Sequence, residues 1–108
     1  MRTELNCDLA LSNGGCLRAN CIFDKGILTY RFFTQTIPME DHVVPVKLTG
    51  ELLLGVIENS VALYPKYDGR YPLISGFKFK FDPSLDPGSR VIRDSFVLEN
   101  GEPIEMDK

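Results

Sequence analysis

Six residues of the chain could contact a ligand together: Asn13-Gly14-Gly15-Cys16-Leu17-Arg18. They follow a short apolar run, Leu9-Ala10-Leu11. A glycine pair lets the backbone take positive φ and lets another group approach it closely. Asn13 offers both a donor and an acceptor group, which suits a base edge. Arg18 carries a planar fork that suits phosphate or paired oxygens. Read alone, the stretch is equally a plain turn with a surface arginine.

Other reactive groups are sparse. The single histidine, His42, lies beside Glu40 and Asp41, but three consecutive residues rarely point at one metal centre. It is also far along the chain from Ser12 and Cys16, so a nucleophilic triad has little support. The three cysteines, Cys7, Cys16 and Cys21, are odd in number and hold no Cys-x-x-Cys pair. They read as free thiols, not as a disulfide framework or a zinc site. Paired carboxylates at Glu40-Asp41 and at Asp82 and Asp86 sit in turn-like segments and read as solvated. Neither a Gly-x-x-x-x-Gly-Lys-Ser/Thr loop nor a Gly-x-Gly-x-x-Gly loop occurs.

The elements that must position these groups are short. Met1 to Leu5 reads as the tail of a helix, and Asp8 to Leu11 as a buried strand. Gly26 to Leu28 reads as a second extended piece. Thr29 is a good N-cap for a helix over about Tyr30 to Thr36, which Pro38 stops. Val43, Val44, Val46 and Leu48 predict a strand, with Pro45 marking an edge or a bulge.

Thr49 or Gly50 starts the clearest helix, whose apolar stripe is Leu53, Val56, Ile57 and Val61. Glu51 lies in its first turn, and Gly55 suggests a close neighbour. Phe77, Phe79 and Phe81 alternate with Lys78 and Lys80 as a strand with one aromatic face. Asp86-Pro87-Gly88-Ser89 is a turn. A strand over Arg90 to Leu98 precedes Asn100-Gly101, the signal of a two-residue hairpin.

At 108 residues the chain is one domain, and its composition is that of a globular protein. The fold class read from this order is α+β (mixed α/β), a mixed sheet flanked by helices. A net charge of -3 argues against a nucleic-acid partner. No apolar run reaches the roughly 18 residues of a membrane span. The first residues carry no signal-peptide core, and the compartment is not read from this sequence.

Taken in order, the segments resemble the C-terminal domain of the 5'-nucleotidase family, which includes periplasmic UDP-sugar hydrolases and 2',3'-cyclic phosphodiesterases. The resemblance runs from about Met1 to Lys108. It rests on Asn-Gly-Gly-x-x-Arg, Ile37-Pro38, the Leu48-Thr49-Gly50 helix start, Glu58-Asn59-Ser60-Val61, and Ser75-Gly76-Phe77 before the aromatic strand with Asp82-Pro83.

The resemblance implies a substrate-recognition domain that grips a nucleotide or nucleoside. Asn13, Gly14, Gly15 and Arg18 would line the site, Asn13 facing base or ribose and Arg18 facing ribose or phosphate. Met39 stands where the family usually has an aromatic that stacks on the base; its polarisable sulfur covers a ring less rigidly. Cys16 stands where many members have a third glycine. Hydrolysis would belong to an N-terminal metallophosphoesterase domain holding divalent metals such as Zn or Mn. A second stacking aromatic and a ribose-binding Asp would lie in a later Gly-Gly-Asp-Gly-like loop. The expectation is therefore part of one domain, truncated at both ends and catalytically silent by itself. Two alternatives remain open at this point: a non-catalytic nucleotide-binding or interaction module, or a degenerate fragment.

Overall fold

The computed structural model describes residues 1–107. The element order is β1 (Ala10–Asn13), α1 (Tyr30–Thr36), α2 (Gly50–Val61), β2 (Pro72–Ser75), β3 (Phe77–Lys78) and β4 (Val97–Leu98). Short 3-10 turns occupy Gly14–Cys16 and Arg93–Ser95. β1 pairs antiparallel with β2, with Leu11 opposite Ile74 and Asn13 opposite Pro72. β3 pairs antiparallel with β4, with Phe77 opposite Leu98. The result is the expected α+β class, built on two small antiparallel ladders.

α2 organises the core. The Thr49 hydroxyl accepts from the Leu52 N–H at 3.3 Å and so starts the helix. Leu53, Leu54, Ile57 and Val61 face Phe77, Val91 and Phe96, with Leu9, Ile74, Phe79, Phe81, Ile104 and Met106 around them. The expected stripe is thus corrected at one position. Leu54 is buried, while Val56 turns outward onto a flank beside β1. Gly55 has open space around it and marks no close neighbour.

Two polar clamps fix α2 to the segment after β3. The Glu58 carboxylate accepts the backbone N–H groups of Arg90 (2.9 Å) and Val91 (2.8 Å). The buried Arg90 guanidinium donates to the carbonyls of Val61 and Tyr64, both at 2.9 Å, and to that of Leu85 at 3.0 Å. A cation there meets the orphan carbonyls and the negative end of the helix dipole.

α1 follows expectation: the Thr29 hydroxyl accepts from Phe32 N–H, and Ile37 lies just beyond the last turn. Several expected strands are absent among the described residues. Residues 43–48 join no ladder there, and Val44 (67%) and Val46 (68%) are exposed. Pro45 has no N–H to give, and β-branched residues form a strand only against a partner. Gly26 to Leu28 likewise joins no ladder, with Ile27 94% exposed. β1 is only half-buried and starts two residues later than expected. Met1 to Leu5 is a single turn, closed by Leu5 N–H donating to the Met1 carbonyl.

The strand expected over Arg90 to Leu98 is interrupted. The Ser95 hydroxyl takes the Lys80 N–H at 2.7 Å, in place of a ladder carbonyl, and the 3-10 turn sits there. The ladder direction survives as an isolated Phe81–Val91 bridge. The aromatic face does turn inward: Phe77 is buried, lying edge-on to Phe96 with centroids 5.8 Å apart. The Asp86–Ser89 turn is closed by Ser89 N–H on the Asp86 carbonyl, with Gly88 at φ +94° as the turn requires. The last hairpin has a three-residue loop, not two. Leu98 N–H bonds the Glu102 carbonyl across Glu99-Asn100-Gly101, and Gly101 takes φ +91°.

Candidate functional site

At the end of β1 the glycine pair meets a second stretch of backbone. Gly14 N–H donates to the Tyr71 carbonyl at 2.7 Å, and Gly15 N–H donates to the Gly69 carbonyl at 2.8 Å. Both glycine N–H groups are therefore spent inward, on backbone carbonyls. The glycines are needed for backbone-to-backbone approach. A Cβ on Gly15 would stand 2.9 Å from Gly69 Cα and 3.0 Å from its oxygen; one on Gly14 would stand 3.2 Å from the Tyr71 oxygen.

The polar groups of the bend that remain outward are side chains. Asn13 Nδ2 donates to the Gly69 carbonyl at 3.1 Å. That bond turns the amide so that Oδ1, which has no partner among the described residues, is offered as an acceptor. Arg18 is exposed and its guanidinium makes no hydrogen bond among the described residues. Its backbone N–H donates to the Thr36 carbonyl at 2.8 Å, tying the bend to the exit of α1. Thr36 Oγ1, at that junction, is buried without a partner among the described residues. Met39 follows three residues later and is exposed. The structure thus joins Asn13, Gly14, Gly15 and Arg18 in one bend and brings the segment leading to Met39 against its far end. Cys16 packs behind the bend, with Sγ 3.4 Å from Ser12 Oγ.

Three supporting residues were not singled out by sequence reasoning. Asp68 Oδ1 accepts from Arg70 N–H (3.0 Å) and from Arg70 Nε (2.9 Å), a local turn that shapes the 68–71 loop. Arg70 Nη1 then donates to Asn59 Oδ1 on α2 at 3.1 Å. The Arg70 backbone N–H, helped by its guanidinium, holds the Asp68 carboxyl below the usual carboxylate range. Asn13, Asn59 and Arg70 line one cleft of about 330 Å³ with Leu11, Ser12, Val56 and Ser60. The available signal was the Glu-Asn-Ser-Val segment itself, whose Asn59 sits one residue from the Glu58 clamp.

Among the described residues no three His, Cys, Asp or Glu side chains are grouped to hold a metal ion, and His42 is exposed. This donor set does not fit the divalent metals that the family resemblance implies for hydrolysis. The cysteines are free. No helix among the described residues is long and apolar enough to cross a membrane.

These features belong to a recognisable class. The family model described as "5'-nucleotidase, C-terminal domain" matches residues 1–108. The chain belongs to that family. Among solved structures, the crystal structure of a 5'-nucleotidase precursor from Thermus thermophilus matches with a TM-score of 0.83 and 27% sequence identity. The match covers 99% of this chain and 21% of that one, so this chain spans about a fifth of its neighbour's length. No curated protein matches it.

Proposed function

We propose that this chain is the nucleotide-recognition part of a 5'-nucleotidase-type phosphoric ester hydrolase. One observation carries the reading. A bend locked by backbone hydrogen bonds presents an amide oxygen on Asn13 and a guanidinium on Arg18, five residues apart, neither with a partner among the described residues. A nucleotide offers matching chemistry: N–H or O–H donors on base and ribose, and anionic oxygens on phosphate. Because the bend is fixed before binding, little ordering is needed when the ligand arrives. Met39 supplies a polarisable apolar surface at the exit of α1. Removal of phosphate belongs, in this reading, to a separate N-terminal metallophosphoesterase domain with its own divalent metals. The chain's role is to position the nucleoside.

Titration of the ¹⁵N-labelled chain with AMP is expected to shift signals of Asn13, Gly15 and Arg18 saturably. Arg18→Ala is expected to weaken binding about tenfold or more, the worth of one charge-assisted hydrogen bond. The chain with AMP and Mn²⁺ or Zn²⁺ is expected to release no phosphate above the metal blank. Unmoved signals in the bend refute recognition, and turnover above the blank refutes the division of labour. Exposed Ile22, Ile27, Val44 and Val46 favour a second reading, an interaction module, should AMP leave the bend untouched.

A further inference from the structure

The 68–71 loop does more than close a turn. Its Gly69 carbonyl is the shared acceptor for Gly15 N–H and Asn13 Nδ2. Whatever fixes that carbonyl therefore fixes the direction in which the Asn13 amide points. Arg70 is the piece that fixes it: its guanidinium joins Asp68, in the same loop, to Asn59 on α2, the best-packed element of the molecule. A lysine could not do this, because its ammonium is a point charge and not a two-sided fork.

We propose that Arg70, braced by Asn59, is a positioning residue for nucleotide recognition: it sets the Asn13 amide so that Oδ1 accepts from a donor on the nucleoside. The inference rests on the proposed function above. Arg70 acts through Gly69 and Asn13, not by touching phosphate. Its Nε and Nη1 are already engaged, with Asp68 at 2.9 Å and Asn59 at 3.1 Å. The partially buried Asp68 carboxylate also offsets its charge, whereas Arg18 has no ion-pair partner among the described residues.

The test uses the full 108-residue chain and the variants Arg70→Ala, Arg70→Lys and Asn59→Ala, each first checked for wild-type α2 signals. Two readouts are taken: hydrogen exchange of Gly15 N–H with the Asn13 side-chain amide signals, and dissociation constants for AMP, inosine monophosphate and 2'-deoxyadenosine monophosphate. All three variants are expected to shift the Asn13 amide signals and speed Gly15 exchange. AMP binding is expected to weaken up to about tenfold, as for one lost hydrogen bond. The analogue lacking the donor that Asn13 reads binds the wild type more weakly, and is expected to lose little further in the variants.

Rescue of AMP binding by Arg70→Lys would overturn the proposal, since charge alone would then suffice. Asn13 and Gly15 signals unchanged in Arg70→Ala would overturn it too. If the wild type binds none of the nucleotides, the proposed function falls, while the exchange and amide signals still decide whether Arg70 positions Asn13.

Discussion

Gly15→Ala tests whether the bend is built for backbone contact. The new methyl would lie 2.9 Å from Gly69 Cα, 3.0 Å from Gly69 O and 3.2 Å from Asn13 Nδ2. The first two neighbours are backbone atoms and cannot rotate away, so the loop must move. Because the loop is largely exposed, it gives way instead of compressing, and the cost is what it loses by moving. Two hydrogen bonds end on the Gly69 carbonyl, each worth about 1 kcal/mol net. Alanine restrains the unfolded chain relative to glycine and returns about 0.5 kcal/mol. Gly15 has no positive φ, so backbone strain adds nothing.

The net expectation is a loss of about 1.5 kcal/mol. With a urea m-value of about 1.5 kcal/mol/M for a domain of this size, the midpoint should fall by about 1 M. Gly26→Ala is the control, since Gly26 has nothing within 4 Å and no positive φ. It is expected to be neutral or to raise stability slightly. If the two variants unfold at the same urea concentration, close backbone approach is not why residue 15 is glycine.

Two further outcomes follow from polar groups away from the bend. Glu58→Ala leaves the Arg90 and Val91 N–H groups without their acceptor and is expected to lower unfolding free energy by about 3 kcal/mol; a urea midpoint near wild type would show that water replaces the carboxylate. Asp82 is held below its ordinary range by the Ser84 hydroxyl and N–H, and Asp68 by Arg70. A depressed carboxyl stabilises the fold fully above its unfolded value of about 3.9 and loses that contribution as pH falls through the lower folded value. The stability difference between wild type and Asp82→Asn should therefore stay constant from neutral pH down to about pH 5 and shrink below about pH 4. A difference that persists undiminished to pH 2 would remove Asp82 from the acid response.

What could be read from the sequence was local, and what escaped was what depends on a partner far along the chain. Thr29 and Thr49 cap helices through residues three positions ahead, so their types suffice to place α1 and α2. Gly88 and Gly101 are set by their own turns. Val43 to Leu48 has strand residues but no neighbouring strand among the described residues, and composition cannot supply one. The choice between Leu54 and Val56 turns on whether the 87–93 segment or β1 lies nearer α2 on each flank, which periodicity does not encode.

The bend shows the same division with a functional consequence. Asn-Gly-Gly announces close approach, but both a ligand and a second strand of backbone satisfy that condition. The partner is the backbone of Gly69 and Tyr71, more than fifty positions away, and their two carbonyls take both glycine N–H groups and one N–H of the Asn13 amide. A backbone anion nest is therefore not available at this bend. In the proposed function, recognition then falls to the two side chains left without a partner among the described residues, through the Asn13 oxygen and the Arg18 guanidinium. If so, discrimination between nucleotides should follow mutations at Asn13 and Arg18, while mutations at Gly14 and Gly15 should act through stability and the placement of Asn13. A glycine variant that altered ligand choice with Asn13 undisturbed would break that chain of reasoning at its first link.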